Sequence, residues 1–286
     1  PVIKALRKLR VAPADHADLR RGHSITISHL PFYIFHFTSY ILHFPFMKLH
    51  TINTGFFKLD GGAMFGVVPK SIWSRTNPAD ENNLCTWAMR CLLVSDGNRL
   101  ILIDTGIGDK QDARFFSHYY LHGDASLEKS LRQLGVHPTD ITDVFLTHLH
   151  FDHCGGSIER YGDKFRPAFK NALYWTNQQH WDWAVNPNAR EKASFLKENI
   201  LPLQQSGQLK LISLPAFKSA NNLQEIHFSP QITCFVVNGH TQGMLIPKIN
   251  MGGRELVFMA DLLPSVAHIP LPYVMGYDMQ PLITLT

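Results

Sequence analysis

One stretch of the chain reads Thr147-His148-Leu149-His150-Phe151-Asp152-His153-Cys154-Gly155-Gly156. It places three imidazoles and one carboxylate within six residues, in the spacing His-x-His-x-Asp-His. Neutral imidazole and carboxylate are the groups with which proteins bind Zn²⁺ and similar ions. The preceding run, residues 143–147 (Asp-Val-Phe-Leu-Thr), is short and mostly apolar, which predicts a buried strand. The candidate ligands are therefore expected at the carboxyl end of a strand, where α/β sheets commonly place their sites.

The spacing of this stretch suits two metal positions. His148 and His150 point the same way from an extended segment. Asp152 and His153 can then reach a second ion about 3.5–4 Å from the first. The alternative is a solvated, His-rich loop, which needs no such spacing. We favour the metal site because four residues of fixed type rarely fall into this pattern by chance.

Three other segments resemble motifs of one known family. Residues 100–106 read Leu-Ile-Leu-Ile-Asp-Thr-Gly, residues 239–243 read Gly-His-Thr-Gln-Gly, and residues 258–262 read Phe-Met-Ala-Asp-Leu. Together with the His-x-His-x-Asp-His stretch, they match the motifs of the metallo-β-lactamase superfamily and occur in the same order. The chain resembles that superfamily from about Met47 to its end.

The resemblance implies an α+β fold, the four-layer αββα metallo-β-lactamase sandwich, in which both halves contribute ligands at one edge. It also implies two divalent metal ions with these ligands: His148, His150 and His240 for one, Asp152 and His153 for the other, and Asp261 as the bridge. Zn²⁺ is the expected metal, and Mn²⁺, Fe²⁺ or Co²⁺ suit the same side chains.

The resemblance also implies a reaction. Residues 59–66 and 260–264 are most similar to the branch that contains quorum-quenching lactonases and methyl-parathion-hydrolase-like enzymes. Such a hydrolase uses a hydroxide shared by two ions to open a lactone, with N-acyl homoserine lactones as the first candidate, or to cleave an ester. Asp152 and Asp261 are the predicted catalytic residues. Pro264 stands where well-studied lactonases have a substrate-binding Tyr, so a phosphotriester or thioester hydrolase stays open as an alternative. The unusual ends of the chain leave a catalytically inactive metal-binding fragment as a further alternative.

The chain departs from the family pattern after Asp261. The family's last metal ligand is a His well downstream of the bridging Asp, and no residue here matches that motif. His268 is only seven residues further on and close to two prolines, so we do not assign it the ligand role. We therefore expect a second metal site without its imidazole and a C-terminal part that is truncated within the outer helical layer.

Other residues near these motifs have two readings each. Asp104 is expected to orient the ligand loop by accepting hydrogen bonds, or to cap its own strand. Phe65 and Trp73 are expected to form an apolar wall for the substrate, with core packing as the alternative for Phe65. Cys154 is expected to be a small buried residue rather than part of the site, and His180 to pack rather than bind metal.

The local patterns also predict particular elements. Residues 48–57 and 63–69 are expected to be strands around an Asp-Gly-Gly turn at residues 60–62. Residues 86–94 and 99–104 are expected to form a hairpin. Residues 188–203 are expected to be a helix with a solvated face of Lys and Glu.

Residues 1–46 differ from the rest of the chain. Six of the chain's basic residues precede residue 22, and residues 23–46 are apolar and aromatic but carry His and Pro. His and Pro make a poor transmembrane helix, and no small-x-small cleavage site of a signal peptide precedes Met47. We predict that residues 1–46 are a non-native or leader segment and that residues 47–286 form the hydrolase domain.

Composition limits the partners. The net charge is +4 and much of it lies before residue 22, so the charge does not indicate a nucleic-acid surface. The expected partner is a small-molecule substrate, without nucleic acid and without stable membrane insertion, and the sequence indicates no oligomeric state. Four cysteines without CxxC spacing suit a reducing, cytoplasmic location, whereas a genuine leader would indicate a secreted or periplasmic protein.

Overall fold

The computed structural model describes residues 47–214 and 224–286. The predicted N-terminal segment, residues 1–46, lies outside the described residues. Within the described part, no helix has both the length and the apolar character needed to cross a membrane.

The described strands form two larger sheets and one hairpin. Their bounds are β1 (Lys48–Asp60), β2 (Leu84–Asp96), β3 (Arg99–Ile103), β4 (Asp143–Phe145), β5 (Ile158–Tyr161), β6 (Lys164–Pro167), β7 (Leu173–Asn177), β8 (Leu209–Ile212), β9 (Gln224–Ser229), β10 (Ile232–Val237), β11 (Met244–Asn250) and β12 (Glu255–Val257). The first sheet has the order β1-β2-β3-β4-β7-β8, the second has the order β12-β11-β10-β9, and β5 pairs with β6.

The first sheet changes from antiparallel to parallel along its width. β1, β2 and β3 are antiparallel neighbours, and β4, β7 and β8 continue the sheet with parallel pairing. The predicted hairpin between residues 86 and 104 is confirmed as β2 and β3, which turn at Gly97 with φ 65°. Parallel pairing brings the carboxyl ends of β3, β4 and β7 to one edge, and this is the edge at which the candidate ligands begin.

The helices of the described residues are short. Their bounds are α1 (Gly61–Phe65), α2 (Lys70–Trp73), α3 (Ala113–Ser117), α4 (Leu127–Gln133), α5 (Phe151–Cys154), α6 (Gln178–Val185), α7 (Lys197–Gln205) and α8 (Pro281–Thr284). α4, α6 and α7 cover one face of the first sheet, with Leu131, Trp181 and Leu203 in one buried cluster with Leu102 and Val144.

The second sheet packs on the other face of the first. Val94 and Ile101 of the first sheet share a buried cluster with Cys234, Val236 and Leu245 of the second. Layers of helix, sheet and sheet therefore follow each other, as the α+β expectation requires. After β12, the described residues hold one α-helix, the four-residue α8. The proposed truncation of the outer helical layer stays a prediction.

The structure corrects the predicted strand at residues 63–69. β1 pairs with β2 instead, and the chain after Asp60 turns into α1. The side chain of Asp60 accepts a hydrogen bond from the Ala63 backbone N–H at 2.8 Å, so it caps a helix rather than closing a hairpin. Gly61 is needed here because a Cβ would lie 2.3 Å from the ring of Trp73. The Asp-Gly-Gly sequence suits both outcomes, and the packing of Trp73 favours the helix.

The predicted helix over residues 188–203 is also corrected. The structure has a 3₁₀ turn at Lys192–Ser194 and α7 from Lys197. The expected solvated face is wrong for one residue, since Glu191 is only 1% exposed. A buried carboxylate needs hydrogen-bond donors, and those of Glu191 lie at the candidate site.

Candidate metal centre

The six predicted ligands come together at one edge of the two sheets. His148 and His150 follow β4, Asp152 and His153 lie on α5, His240 follows β10, and Asp261 lies on the 3₁₀ turn Ala260–Leu262 after β12. Within each of two groups the ligand atoms lie within 4.8 Å of one another: His148, His150, His240 and Asp261 in one, and Asp152, His153 and Asp261 in the other. Both groups could hold a metal ion.

Asp261 lies between the two groups. Its Oδ2 is 3.2 Å from His240 Nε2 and 3.9 Å from His148 Nε2, whereas its Oδ1 is 3.2 Å from His153 Nε2. Each carboxylate oxygen therefore faces a different set of imidazoles. This is the placement that a bridging carboxylate requires, and the bridging role itself stays a prediction.

Each imidazole has its other ring nitrogen beside a polar side chain. The pairs are His148 Nδ1 with Thr147 Oγ1 at 3.1 Å, His150 Nε2 with Glu191 Oε1 at 2.9 Å, His153 Nδ1 with Asp104 Oδ2 at 2.8 Å, and His240 Nδ1 with Asp278 Oδ1 at 3.1 Å. Such outer hydrogen bonds fix the tautomer and ring orientation of metal-binding histidines.

Asp104 has the hydrogen bonds that were expected of it. Besides His153, it accepts hydrogen bonds from the backbone N–H of Thr147 at 2.8 Å and from the Thr147 hydroxyl. Its φ of 58° lies in the left-handed region, which costs a non-glycine residue roughly 1–2 kcal/mol. Ala260, directly before Asp261, has a φ of 43°. Strained backbone therefore lies beside both halves of the cluster, as is common at functional sites.

The donor set fits divalent metal ions. His148 Nε2 is buried and has no hydrogen-bond partner within the described part of the chain. Burial, helped by the neighbouring imidazoles, holds the pKa of His148 well below its usual range, so that this nitrogen carries a free lone pair. An unpaired buried nitrogen is costly unless a ligand completes it. A cation among four imidazoles and two carboxylates would do so.

Protons and metal ions compete for the rest of the cluster. Burial alone lowers the pKa of His153, but Asp261, Asp152 and Asp104 outweigh it and raise that pKa well above its usual value. The pKa of His240 is raised for the same reason, mainly by Asp261 and Asp278 against the effect of burial. Metal binding at these imidazoles must therefore release protons.

Three residues that were kept out of the ligand set lie elsewhere, as predicted. His268 Nε2 is 2.9 Å from the Met64 carbonyl, and its Nδ1 is 2.8 Å from the Ser265 hydroxyl. His180 accepts a hydrogen bond from the Leu149 N–H at 2.8 Å. Cys154 is fully buried and donates to the Leu149 carbonyl. All three form hydrogen bonds with backbone groups near the site, and none belongs to either ligand group.

The structure does not place Phe65 and Trp73 in a substrate wall. Phe65 is 0% and Trp73 is 1% exposed, and their rings stack at 5.3 Å in a buried cluster. The reason is that the chain after Asp60 forms the short helices α1 and α2, whose Phe65 and Trp73 rings are both buried. A cleft of about 680 Å³ beside the metal cluster is lined instead by these apolar and aromatic residues: Phe57, Met64, Trp87, Met89, Tyr119, Phe151, Met275 and Tyr277.

Sequence reasoning missed Glu191 and Asp278. Both are buried and each lies beside a predicted ligand imidazole. Asn188 offered one signal, because Asn followed three residues later by Glu resembles a capping box. The structure uses Asn188 Oδ1 to accept the Glu191 backbone N–H at 3.0 Å. Nothing in the local sequence marks Asp278.

The metal loop is packed tightly against residues 104–110. A Cβ on Gly155 would lie 2.0 Å from the Ile107 carbonyl oxygen, so only glycine fits there. The buried Lys110 ammonium donates a hydrogen bond to the Gly155 carbonyl. Burial lowers the pKa of Lys110 from 10.5 to about 8.

The buried Lys110 should make stability depend on pH. Between about pH 8 and pH 10.5 the unfolded chain binds more protons at this residue than the folded protein, so the contribution of Lys110 to the free energy of unfolding rises with pH. The contribution is roughly 3 kcal/mol over the whole range. We expect Lys110→Met to remove this rise in urea unfolding at several pH values, while the exposed Lys170→Met retains it. Equal slopes in Lys110→Met and the parent protein would contradict this prediction.

The two ligand sets should differ in metal affinity. One set has three imidazoles and the shared Asp261 carboxylate, whereas the other has one imidazole, Asp152 and the shared Asp261. Even the loss of an outer hydrogen bond costs roughly 10–100-fold in affinity, so a missing imidazole should cost at least as much. We expect about one ion per chain after dialysis, measured by elemental analysis. His268→Gln should leave this content unchanged, and two tightly held ions per chain would contradict the prediction.

Comparisons with known proteins agree with the geometry. Residues 90–159 match the family model of the metallo-beta-lactamase superfamily, a range that contains four of the six candidate ligands. An N-acyl homoserine lactonase of Bacillus thuringiensis is 25% identical over 142 residues, which cover 46% of this chain and 50% of the relative. The chain thus spans about half the length of the curated relatives it matches.

Solved structures show the same fold over most of the chain. A probable metal-dependent hydrolase from Staphylococcus aureus is 29% identical, with a TM-score of 0.75 over 85% of this chain and 83% of that one. A dizinc quorum-quenching lactonase, AidC, is 24% identical, with a TM-score of 0.63 over 84% of this chain and 80% of that one. The fold, the motif match and the four ligand-bearing segments confirm the resemblance, and the chain contains a metallo-beta-lactamase superfamily domain.

Proposed function

We propose that this chain is a metal-dependent hydrolase that opens a lactone or cleaves an ester, with N-acyl homoserine lactones as the first candidates. The observation that carries the proposal is the pair of ligand groups that share Asp261 beside the 680 Å³ cleft. The relatives and structural neighbours with lactonase or hydrolase names support it.

The chain's own residues would prepare the reaction. Divalent ions, when bound, supply Lewis-acid activation of the scissile carbonyl and of water. His148, His150 and His240 would hold one ion and Asp152 and His153 the other, and Asp261 belongs to both ligand groups. Asp152 also lines the cleft, so its carboxylate is the group best placed to accept a proton from the attacking water and pass it to the leaving oxygen.

The cleft suits a substrate with an apolar acyl chain. Five of the chain's eight methionines line it: Met64, Met89, Met259, Met275 and Met279. Methionine side chains are flexible and adapt to apolar ligands of different shape. Such a wall favours acyl chains over compact polar groups.

Tyr277 is the candidate hydrogen-bond donor to a lactone oxygen, because its phenol lines the cleft. Pro264 lines the cleft at the position where lactonases were expected to have a Tyr, and Tyr277 lines the same cleft from another segment. A phenol is protonated at neutral pH, so the Tyr277 hydroxyl can donate a hydrogen bond. A phenol from another part of the chain therefore offsets the departure at Pro264.

A substrate panel tests the proposed reaction. The purified chain, loaded with Zn²⁺, is offered hexanoyl homoserine lactone, a nitrophenyl hexanoate ester, a diethyl nitrophenyl phosphotriester and an acyl glutathione thioester. Hydrolysis of the lactone or the ester at the highest kcat/KM, abolished by a chelator, is the expected result. Preference for the phosphotriester or the thioester would overturn the substrate assignment, and metal binding without turnover would indicate an inactive domain.

The acyl chain should contribute to specificity. Each buried methylene is worth up to about 0.8 kcal/mol, which corresponds to roughly fourfold in kcat/KM. We therefore expect kcat/KM to rise by up to about fourfold per methylene from acetyl to hexanoyl esters of one leaving group. The acetyl ester is the control for the chemistry alone, and a flat series would contradict binding of the chain in the cleft.

A further inference from the structure

His150 differs from the other three imidazoles in the nitrogen that faces the cluster. His153 and His240 direct Nε2 towards Asp261, and the unpaired nitrogen of His148 is also Nε2. His150 instead directs Nδ1 inward, 3.1 Å from His240 Nε2. A neutral imidazole has one N–H and one lone pair, so some group must keep the proton of His150 on Nε2.

Glu191 is placed to hold that proton. Its Oε1 lies 2.9 Å from His150 Nε2, and its carboxylate is 1% exposed. Its Oε2 accepts a hydrogen bond from Trp183 Nε1 at 2.6 Å and another from Asn188 Nδ2 at 3.3 Å. One oxygen is therefore held by the indole and the amide, and the other is left to His150.

Hydrogen bonds to Asn188 also hold the backbone of Glu191 in place. Asn188 Oδ1 accepts the backbone N–H groups of Arg190 at 2.9 Å and Glu191 at 3.0 Å, which closes a turn at the end of the segment after α6. Asn188 therefore acts on Glu191 twice, through its side-chain oxygen and its side-chain nitrogen. A carboxylate with this many fixed contacts cannot rotate away from His150 without leaving buried donors unpaired.

We infer that Glu191 is a positioning residue that keeps His150 in the tautomer whose Nδ1 lone pair faces the metal cluster. The inference rests on the proposed metal centre, since the tautomer matters only where Nδ1 must bind an ion. Glu191 belongs to neither candidate ligand group, and its two oxygens face His150, Trp183 and Asn188. It acts on the metal only through His150.

The first test reads the tautomer itself. Long-range ¹H–¹⁵N NMR of the ¹⁵N-histidine-labelled chain without added metal should show His150 protonated at Nε2. In Glu191→Gln the amide can turn either its oxygen or its nitrogen to His150, so we expect a mixture of tautomers. Glu128→Gln, at an exposed position on α4, is the control and should leave the signals unchanged. An unchanged His150 tautomer in Glu191→Gln would overturn the inference.

The second test reads metal affinity. We expect Glu191→Gln to weaken Zn²⁺ binding roughly 10–100-fold in chelator competition and to change the Co²⁺ absorption spectrum. Trp183→Phe keeps an aromatic ring but removes the N–H that donates to Oε2. It should also weaken Zn²⁺ binding, but by less than Glu191→Gln. A lower melting temperature with unchanged Zn²⁺ affinity and Co²⁺ spectrum would overturn the inference and leave only a structural role.

The two proposals fail in different ways. If the parent chain binds no Zn²⁺, the proposed function fails whatever Glu191 does. If the parent chain binds Zn²⁺ and both Glu191→Gln and Trp183→Phe match it, the metal centre stands and the positioning role fails. Should Glu191→Gln not fold, Glu191→Asp and Trp183→Phe carry the same comparison.

Discussion

Replacing Asp261 by Asn is expected to lower kcat/KM at least about 10³-fold while the protein still folds. Asn has the same shape but no charge, and the two oxygens of Asp261 face different imidazole sets. A 10³-fold loss corresponds to about 4 kcal/mol of transition-state stabilisation, at about 1.4 kcal/mol per tenfold, and bound metal ions supply several kcal/mol of this kind. Steady-state kinetics with the best substrate of the panel measures the loss, and circular dichroism checks the fold.

Asp163→Asn is the matched control for that experiment. Asp163 lies in the exposed turn between β5 and β6, outside the ligand cluster. The kcat/KM of Asp163→Asn should therefore equal that of the parent chain. Metal content is measured in both variants. Turnover of Asp261→Asn within tenfold of the parent value would exclude a mechanism that needs a carboxylate between two ions.

Replacing Trp73 by Ala is expected to destabilise the fold by about 3–5 kcal/mol, the usual cost of removing a buried Trp side chain. Trp73 stacks on Phe65 and shares its cluster with Met64, Cys85 and Trp87. Urea unfolding measures the change. Because Trp73 does not line the cleft, kcat/KM per folded molecule should stay within a few-fold of the parent value.

Ile72→Ala tests the neighbouring position, where the side chain is 45% exposed. It should cost far less than Trp73→Ala, because little apolar surface is buried there. A small stability loss in Trp73→Ala, together with a large loss in kcat/KM, would instead indicate that Trp73 contacts the substrate. The pair therefore separates the core role from the role expected from the sequence.

The ligand motif could be read from the sequence because its members are neighbours in the chain. Four candidate ligands fall between His148 and His153, so any fold that extends this segment brings them together. The hairpin of β2 and β3 could also be predicted from neighbouring residues, since its turn at residues 97–98 lies between two apolar strands that are close in the chain. His240 and Asp261 came from the family resemblance, and the structure brings both to the same edge.

The tertiary structure decided what the local sequence left open. β1 pairs with β2 rather than with residues 63–69, because Asp60 caps α1 and Trp73 packs over Gly61. Glu191 lies 41 residues from His150, and Asp278 lies 38 residues from His240. Neither carboxylate has a chain neighbour that marks it, because its partner is fixed only when separate segments pack together. The sequence by itself thus identified the candidate ligands, whereas packing determined which buried carboxylates lie beside them and which residues form the cleft.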